Sequence, residues 1–314
     1  MRKGVILDGY ALNPGDLSWE GLRRIADFEV YDRSTPEEAE ERARGKELVI
    51  TNKVPFDGSL MDRLPDLRYI GVTATGYNII DIEAARERGI AVTNIPSYST
   101  EAVAQHVFAL LLSVTNHVSE YSRSVKEGMW ERSRDFCYYL DALRELKDLT
   151  FGVYGLGRIG RQVALIAKAF SMNVISYSPH SAADGIEAVG REELFRRSDI
   201  ISLHVPLTED TRKMIGDSTI SMMKRGVILI NTARGLLVDD EALLSALDDG
   251  RIGWYLSDVL SEEPPADSIL LKHEHAVFTP HIAWAAKETR QRLLEIAESN
   301  ASSFVSGGML NRIV

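Results

Sequence analysis

Short β-branched runs alternate with longer segments of helical period along the whole 314-residue chain, and that alternation leaves few folds open. A parallel pair of strands needs a crossover of a dozen or more residues, which a helix supplies, so the pattern predicts an α/β protein with a parallel sheet. Examples of the expected strands are "GVILD" (4–8), "ELVI" (47–50), "YIGVT" (69–73), "FGVYG" (151–155), "NVISY" (173–177), "IISLH" (200–204), "GVILIN" (226–231) and "AVFTP" (276–280).

Between Pro96 and Trp130 the rhythm changes. Val103, Val107, Leu110, Leu111, Val114 and Val118 recur at helical spacing, with Ser99 or Thr100 suited to the N-cap and Glu101 in the first turn, where the helix dipole favours it. One long helix is expected there. A second helical stretch, "KETRQRLLEIAESNASSF" (287–304), follows the last strand. Two α/β blocks joined by long helices predict two domains with a cleft between them, a common place for ligands.

The most specific local motif is "FGVYGLGRIGRQVALIAKAFSMNVISY" (151–177), which reads strand, turn, helix, strand. Gly155, Gly157 and Gly160 fit G-x-G-x-x-G: the first permits a tight turn, the second admits a pyrophosphate to the backbone, the third lets helix pack on strand. Val163, Ile166, Ala167 and Phe170 support the helix independently, and its N-terminus offers unpaired N–H groups to phosphates. A dinucleotide site is expected, with Leu156, Arg158 and Ile159 in the same loop.

About 20 residues further on, such a site usually carries an acidic residue for the ribose 2′-OH. Here the count lands on Ser178, in "NVISYSPHS". A carboxylate would repel a 2′-phosphate, so its absence removes the main discrimination against NADP. Ser178 can donate or accept, and His180 and Arg158 can help neutralise a phosphate, but no dedicated arginine follows the strand. The expected cofactor is NAD or NADP: Ser178 permits NADP, and the residues decide no preference.

Charge narrows the partners. Thirty-six Lys and Arg against 46 Asp and Glu give a net charge of −10, and no basic run of five or more interrupts it. Nucleic acid and anionic membrane are therefore not expected as partners. The apolar stretch before Asp8 is too short for a signal peptide, and no run approaches the roughly 18 apolar residues of a membrane span. Cys137 is the only cysteine, which fits a reducing, cytoplasmic setting and a packing role, and excludes multi-thiolate metal sites.

Three further stretches need more than packing to explain them. "ILINTARGLLVDDEAL" (228–243) places Arg234 just past a strand, "LSDVLSEEPP" (256–265) contributes Asp258 and Glu263, and "VFTPHIAWAAKETRQR" (277–292) contributes His281. All three are expected at strand ends on the side of the glycine loop.

With these motifs the sequence resembles the D-2-hydroxyacid dehydrogenase family over nearly its whole length, most closely its glycerate dehydrogenase (hydroxypyruvate reductase) branch. The likeness runs through "LDGYALNPGDLSW" (7–19), "TATGYNIIDIEAARERGIAVTNIP" (73–96), "DFCYYLDALREL" (135–146) and "TPHIAWAAKETRQR" (279–292). The resemblance implies a Rossmann-type dinucleotide domain (99–283) inserted in a flavodoxin-like α/β substrate domain (1–98 plus 284–314). It also implies a homodimer to which the long-helix region contributes.

Carried over by motif, Arg234 is the substrate arginine, His281 the acid/base histidine and Glu263 its partner. Asp258 looks like the nicotinamide carboxamide ligand, and the backbone of Ala74, Thr75 and Gly76 looks like the substrate-carboxylate loop. His204 with Val205 and Pro206, and Thr232 with Ala233, match positions beside the cofactor; for His204 packing is an equal reading. Each role suits its residue: an arginine fork clamps a carboxylate and polarises the neighbouring carbonyl, and a histidine moves a proton.

The implied reaction is reversible, NAD(P)-dependent reduction of a small 2-oxo acid, hydroxypyruvate or glyoxylate first. Sibling substrates (phosphoglycerate, lactate, bulkier 2-oxo acids) stay open. A cofactor-sensing binding protein, as in corepressors of the same fold, is disfavoured by the intact Arg-Glu-His set and the acidic charge. Lys53 in "TNKVP" is read as exposed rather than closing on substrate, and "KHEHA" (272–276) as a solvated turn rather than a metal site, because a third ligand is missing.

Overall fold

Twelve strands, read from a computed structural model that describes residues 1–179 and 181–314, follow the chain as β1 (Lys3–Ile6), β2 (Asp27–Val30), β3 (Leu48–Thr51), β4 (Tyr69–Val72), β5 (Ala91–Thr93), β6 (Thr150–Tyr154), β7 (Asn173–Tyr177), β8 (Glu187–Ala188), β9 (Ile200–Leu203), β10 (Val227–Asn231), β11 (Ile252–Ser257) and β12 (Ala276–Phe278). The chain divides into two compact units, Met1–Ser99 with Ala285–Val314, and Thr100–Trp284.

In the first unit the strand order is β2-β1-β3-β4-β5, all parallel, which is the flavodoxin-like order. Burial explains the run-like sequence of its strands: β3 and β4 are covered on both faces, so every residue in them is buried. The C-terminal segment belongs here for three local reasons. Arg290 forms a two-pronged pair with Asp16 at 2.7 and 2.8 Å, the Asn300 amide donates to Asn94 O at 3.0 Å, and Ile313 N–H donates to Val92 O at 2.7 Å.

The second unit holds a seven-stranded parallel sheet ordered β12-β11-β10-β9-β6-β7-β8. Read from its other edge this is the Rossmann order 3-2-1-4-5-6 with one strand added. Val107, Leu111, Phe151, Val163 and Ala167 pack one face, and Phe195, Ile201, Leu229, Leu237 and Leu243 the other.

The single helix expected between Pro96 and Trp130 is two, Thr100–Asn116 and Val118–Lys126. His117 adopts a left-handed conformation (φ 48°), which ends the helical ladder, and Val118 leaves the apolar stripe to stand 67% exposed. Strands β2, β5, β8 and β11 have weaker local patterns: they are short, or, like "IGWYLS", carry an interior glycine that blurs the pattern. Among the described residues, no helix is long and apolar enough to cross a membrane.

Candidate active site

Parallel strands end at one edge, so topology alone collects the loops after β6, β9, β10, β11 and β12 along the carboxyl side of the second sheet. Those loops carry the glycine motif, His204 to Pro206, Thr232 to Arg234, Asp258, and Thr279 to His281.

The glycine loop leaves β6 in a turn that only glycine makes well. Gly155 has φ +100°, its N–H donates to Tyr177 O at 2.9 Å, and a Cβ there would lie 2.5 Å from His204 O. At Gly160 a Cβ would meet Gly155 O at 2.1 Å, which sets helix Arg158–Ala169 close against the turn. Gly157 is different: nothing lies within 4 Å of the position its Cβ would take, and as N-cap it leaves the first-turn N–H groups without a side-chain cap.

An open backbone cradle at a helix N-terminus suits a pyrophosphate. Thr232 Oγ1 adds a buried hydroxyl with no hydrogen-bond partner among the described residues, a group that a ligand would satisfy. These features fit a dinucleotide.

Around the loop, Leu156 is in the core and can offer a ligand only backbone, whereas Arg158 is exposed. Ser178 is half-buried just beyond β7, and His180 lies outside the described residues. His204, also half-buried, has its Nε2 2.8 Å from Ser202 Oγ; the surrounding protein desolvates the ring enough to push its pKa down to about 3. It is a neutral histidine at ordinary pH.

After β10, Asn231 shapes the turn that presents Arg234. Its buried amide donates to Arg234 O at 2.9 Å and accepts from Ala233 N–H at 3.0 Å. Gly235 then passes so close to Leu260 that a Cβ would lie 1.9 Å from its carbonyl carbon. The Arg234 turn and the turn leading to Glu263 are thereby packed together. The Arg234 guanidinium is exposed, donates to Ala233 O at 2.6 Å, and forms no ion pair with the described residues.

Glu263 and His281 meet. Glu263 Oε2 lies 2.6 Å from His281 Nδ1, and Oε1 accepts from Leu260 N–H at 3.0 Å. The two side chains are 33% and 32% exposed. His281 itself has φ +54°, a left-handed conformation that costs a non-glycine residue roughly 1 to 3 kcal/mol and persists only where neighbours hold it.

The family model for the NAD binding domain of D-isomer specific 2-hydroxyacid dehydrogenases matches residues 108–283. The chain belongs to that family. This dehydrogenase is 40% identical to a hydroxypyruvate reductase of Blautia hydrogenotrophica, with 98% of each chain covered. It is 41% identical to a glycerate dehydrogenase of Methylorubrum extorquens, covering 98% of this chain and 97% of that one. Among solved structures, an acyclic imino acid reductase in complex with NADPH and D-Arg superposes with a TM-score of 0.86 at 32% identity, covering 99% of this chain and all of that one. The protein is an oxidoreductase with a Rossmann NAD(P)-binding domain.

What grips the histidine segment of this dehydrogenase is Asp258. Only 1% exposed, it accepts from Thr279 Oγ1 (2.5 Å), Ile282 N–H (2.8 Å) and Ala283 N–H (2.7 Å). Thr279 Oγ1 is also 2.8 Å from His106 Nε2, on helix Thr100–Asn116. Sequence reasoning passed over Asn231, Gly235, Thr279 and His106. The first three sit inside "NTARG" and "TPH", where adjacency to Arg234 and His281 was a usable signal; His106 had none.

In the first unit, Ala74, Thr75 and Gly76 follow β4. Ala74 O accepts from Ile95 N–H at 3.0 Å and Thr75 Oγ1 donates to Ile95 O at 2.7 Å, which ties the loop to the segment after β5. Lys53 is exposed. The "KHEHA" turn is less solvated than expected: His273 pairs with Asp248 at 3.4 Å and His275 lies edge-on to Trp254 with ring centres 4.9 Å apart. No group of three metal ligands occurs among the described residues. Cys137 is half-buried, in a segment that keeps Phe136 88% exposed, instead of packed in a core.

Proposed function

We propose that this dehydrogenase reversibly reduces a small 2-oxo acid, hydroxypyruvate or glyoxylate first, to the D-2-hydroxy acid. The observation that carries the chemistry is the 2.6 Å contact between Glu263 and His281 Nδ1. When bound, NAD(P)H would supply the hydride. Arg234 clamps the substrate carboxylate with two parallel hydrogen bonds and draws electron density from the adjacent carbonyl. His281 delivers the proton from Nε2 to the carbonyl oxygen, and withdraws it in the reverse direction. Glu263 keeps Nδ1 occupied, so the ring presents the other nitrogen to substrate.

On the cofactor side, the backbone of Gly155 to Gly160 with Leu156, Arg158 and Ile159 holds the pyrophosphate. His204, Val205, Pro206, Thr232 and Ala233 would line its neighbourhood, and Asp258 would bind the nicotinamide carboxamide. Ser178 would face the adenine ribose and permits a 2′-phosphate there, so NAD or NADP can be the cofactor. The backbone of Ala74, Thr75 and Gly76 binds the substrate carboxylate.

The same reading takes the protein to be a cytoplasmic homodimer, with residues 1–98 plus 284–314 as substrate domain and 99–283 as dinucleotide domain. Trp130, Phe136, Tyr139 and Leu143, between 53% and 88% exposed, supply apolar surface that a second copy would cover.

Steady-state kinetics with hydroxypyruvate, glyoxylate, pyruvate and phosphohydroxypyruvate, each with NADPH and NADH, test this. Highest kcat/KM on one of the first two supports the substrate; preference for another acid replaces it with that sibling. Arg234→Ala should raise the 2-oxo acid KM sharply, and His281→Ala should lower kcat about 100-fold or more. Unchanged kinetics in the histidine variant would remove its acid/base role.

A further inference from the structure

The mechanism uses His281 but does not explain how a residue in a left-handed conformation is kept on target. A chain of three side chains from three separate elements answers this. Thr279, two residues before His281, gives its single hydroxyl proton to Asp258 Oδ1 at 2.5 Å. Its oxygen can then only accept from His106, so the 2.8 Å contact makes His106 Nε2 a donor. Asp258 closes the device by holding the backbone N–H groups of Ile282 and Ala283, on the far side of His281. The catalytic residue is clamped before and after.

We propose that His106 and Thr279 are positioning residues for the proton transfer, acting through Asp258 on the orientation of His281. Neither touches the reacting atoms. His106 is 18% exposed and is anchored by a helix whose neighbouring residues Val103, Ala104 and Val107 are buried, so it brings the rigidity of the core to the loop. Thr279 converts that anchor into alignment because its hydroxyl is at once acceptor and donor. A valine of the same shape can do neither, and a serine can do both.

This rests on His281 being the acid/base residue, and the test separates the two claims. In Thr279→Val, kcat for 2-oxo acid reduction should fall tenfold or more while the KM for the acid and the Kd for NADPH, read by fluorescence, stay within about threefold. Thr279→Ser should restore kcat to within about threefold of wild type. His106→Leu should lower kcat three- to tenfold, and the His106→Leu, Thr279→Val double variant should be no slower than Thr279→Val alone, because both changes break one chain. His106→Gln, which keeps a donor, covers the case in which leucine prevents folding. A melting midpoint for each variant shows which are folded.

Wild-type kcat in folded Thr279→Val, or losses that multiply in the double variant, would overturn the proposal while a slow His281→Ala left the acid/base reading standing. Full activity in His281→Ala would remove that reading itself.

Discussion

Glu263 Oε2 and His281 Nδ1 stand 2.6 Å apart although 18 residues separate them in the chain. The glutamate's other oxygen is held by Leu260 N–H, so the carboxylate plane is set by its own turn and the ring is set by the carboxylate. In Glu263→Gln the amide oxygen can still accept from Nδ1–H, but the negative charge facing the imidazolium is gone. Expected is a kcat loss of roughly 10- to 100-fold, within the usual reach of acid–base catalysis, with Glu263→Ala slower still. Pre-steady-state hydride transfer should slow in step; wild-type rates in both variants would show that the contact is incidental to the reaction.

Two glycines of one motif should respond oppositely. Gly155→Ala forces a Cβ to 2.5 Å from a backbone oxygen at φ +100°, so the protein should lose about 2 kcal/mol or more of stability, measured by urea unfolding. Gly157→Ala meets nothing within 4 Å, and its stability should change by about 1 kcal/mol at most. If the proposed cradle holds the pyrophosphate, the added methyl would crowd it, and NADPH affinity should drop tenfold or more. A Gly157→Ala enzyme with normal cofactor affinity would place the phosphates elsewhere.

His204 predicts an acid-sensitive fold. Desolvation lowers its pKa from 6.5 to about 3, so between those values the unfolded chain takes up a proton that the native ring refuses. The contribution is complete above about pH 6.5 and is lost as pH falls towards 3, by up to about 1.4 kcal/mol per unit. Denaturation midpoints at pH 7 and pH 5 should converge in His204→Asn relative to wild type. An imidazole NMR signal of His204 titrating near pH 6.5 in the native protein would contradict it.

The exposed aromatics of the segment after the Val118–Lys126 helix make the dimer testable. Phe136 and Tyr139, 88% and 77% exposed, can accept charge without disturbing a core. Phe136→Glu with Tyr139→Glu should shift the protein to monomer in analytical ultracentrifugation while the melting curve stays cooperative. A wild-type chain that sediments as a monomer at micromolar concentration would refute the interface.

Much of this was legible in local sequence, because β-branched runs, glycine spacing and turn residues report on interactions between near neighbours. The parallel α/β class, the strand-turn-helix around Gly155 and the candidates Arg234, Glu263 and His281 all come from stretches of a few residues with their own pattern. The helix break at His117 left no such mark: its neighbours keep helical spacing while one backbone angle turns left-handed. Strand β11 was equally silent, since Gly253 interrupts the run that neighbours β10 and β12 complete.

Residue type alone sets charge, donors and acceptors, and with them which side chains can carry the chemistry. Which of them stand together depends on the fold. Strand order brought five loops to one edge, Gly235 packed the Arg234 turn onto the turn of Glu263, and helix residue His106 came within 2.8 Å of Thr279 across 173 positions. No local rule reaches that far, because such contacts are paid for by packing of the whole sheet and its covering helices.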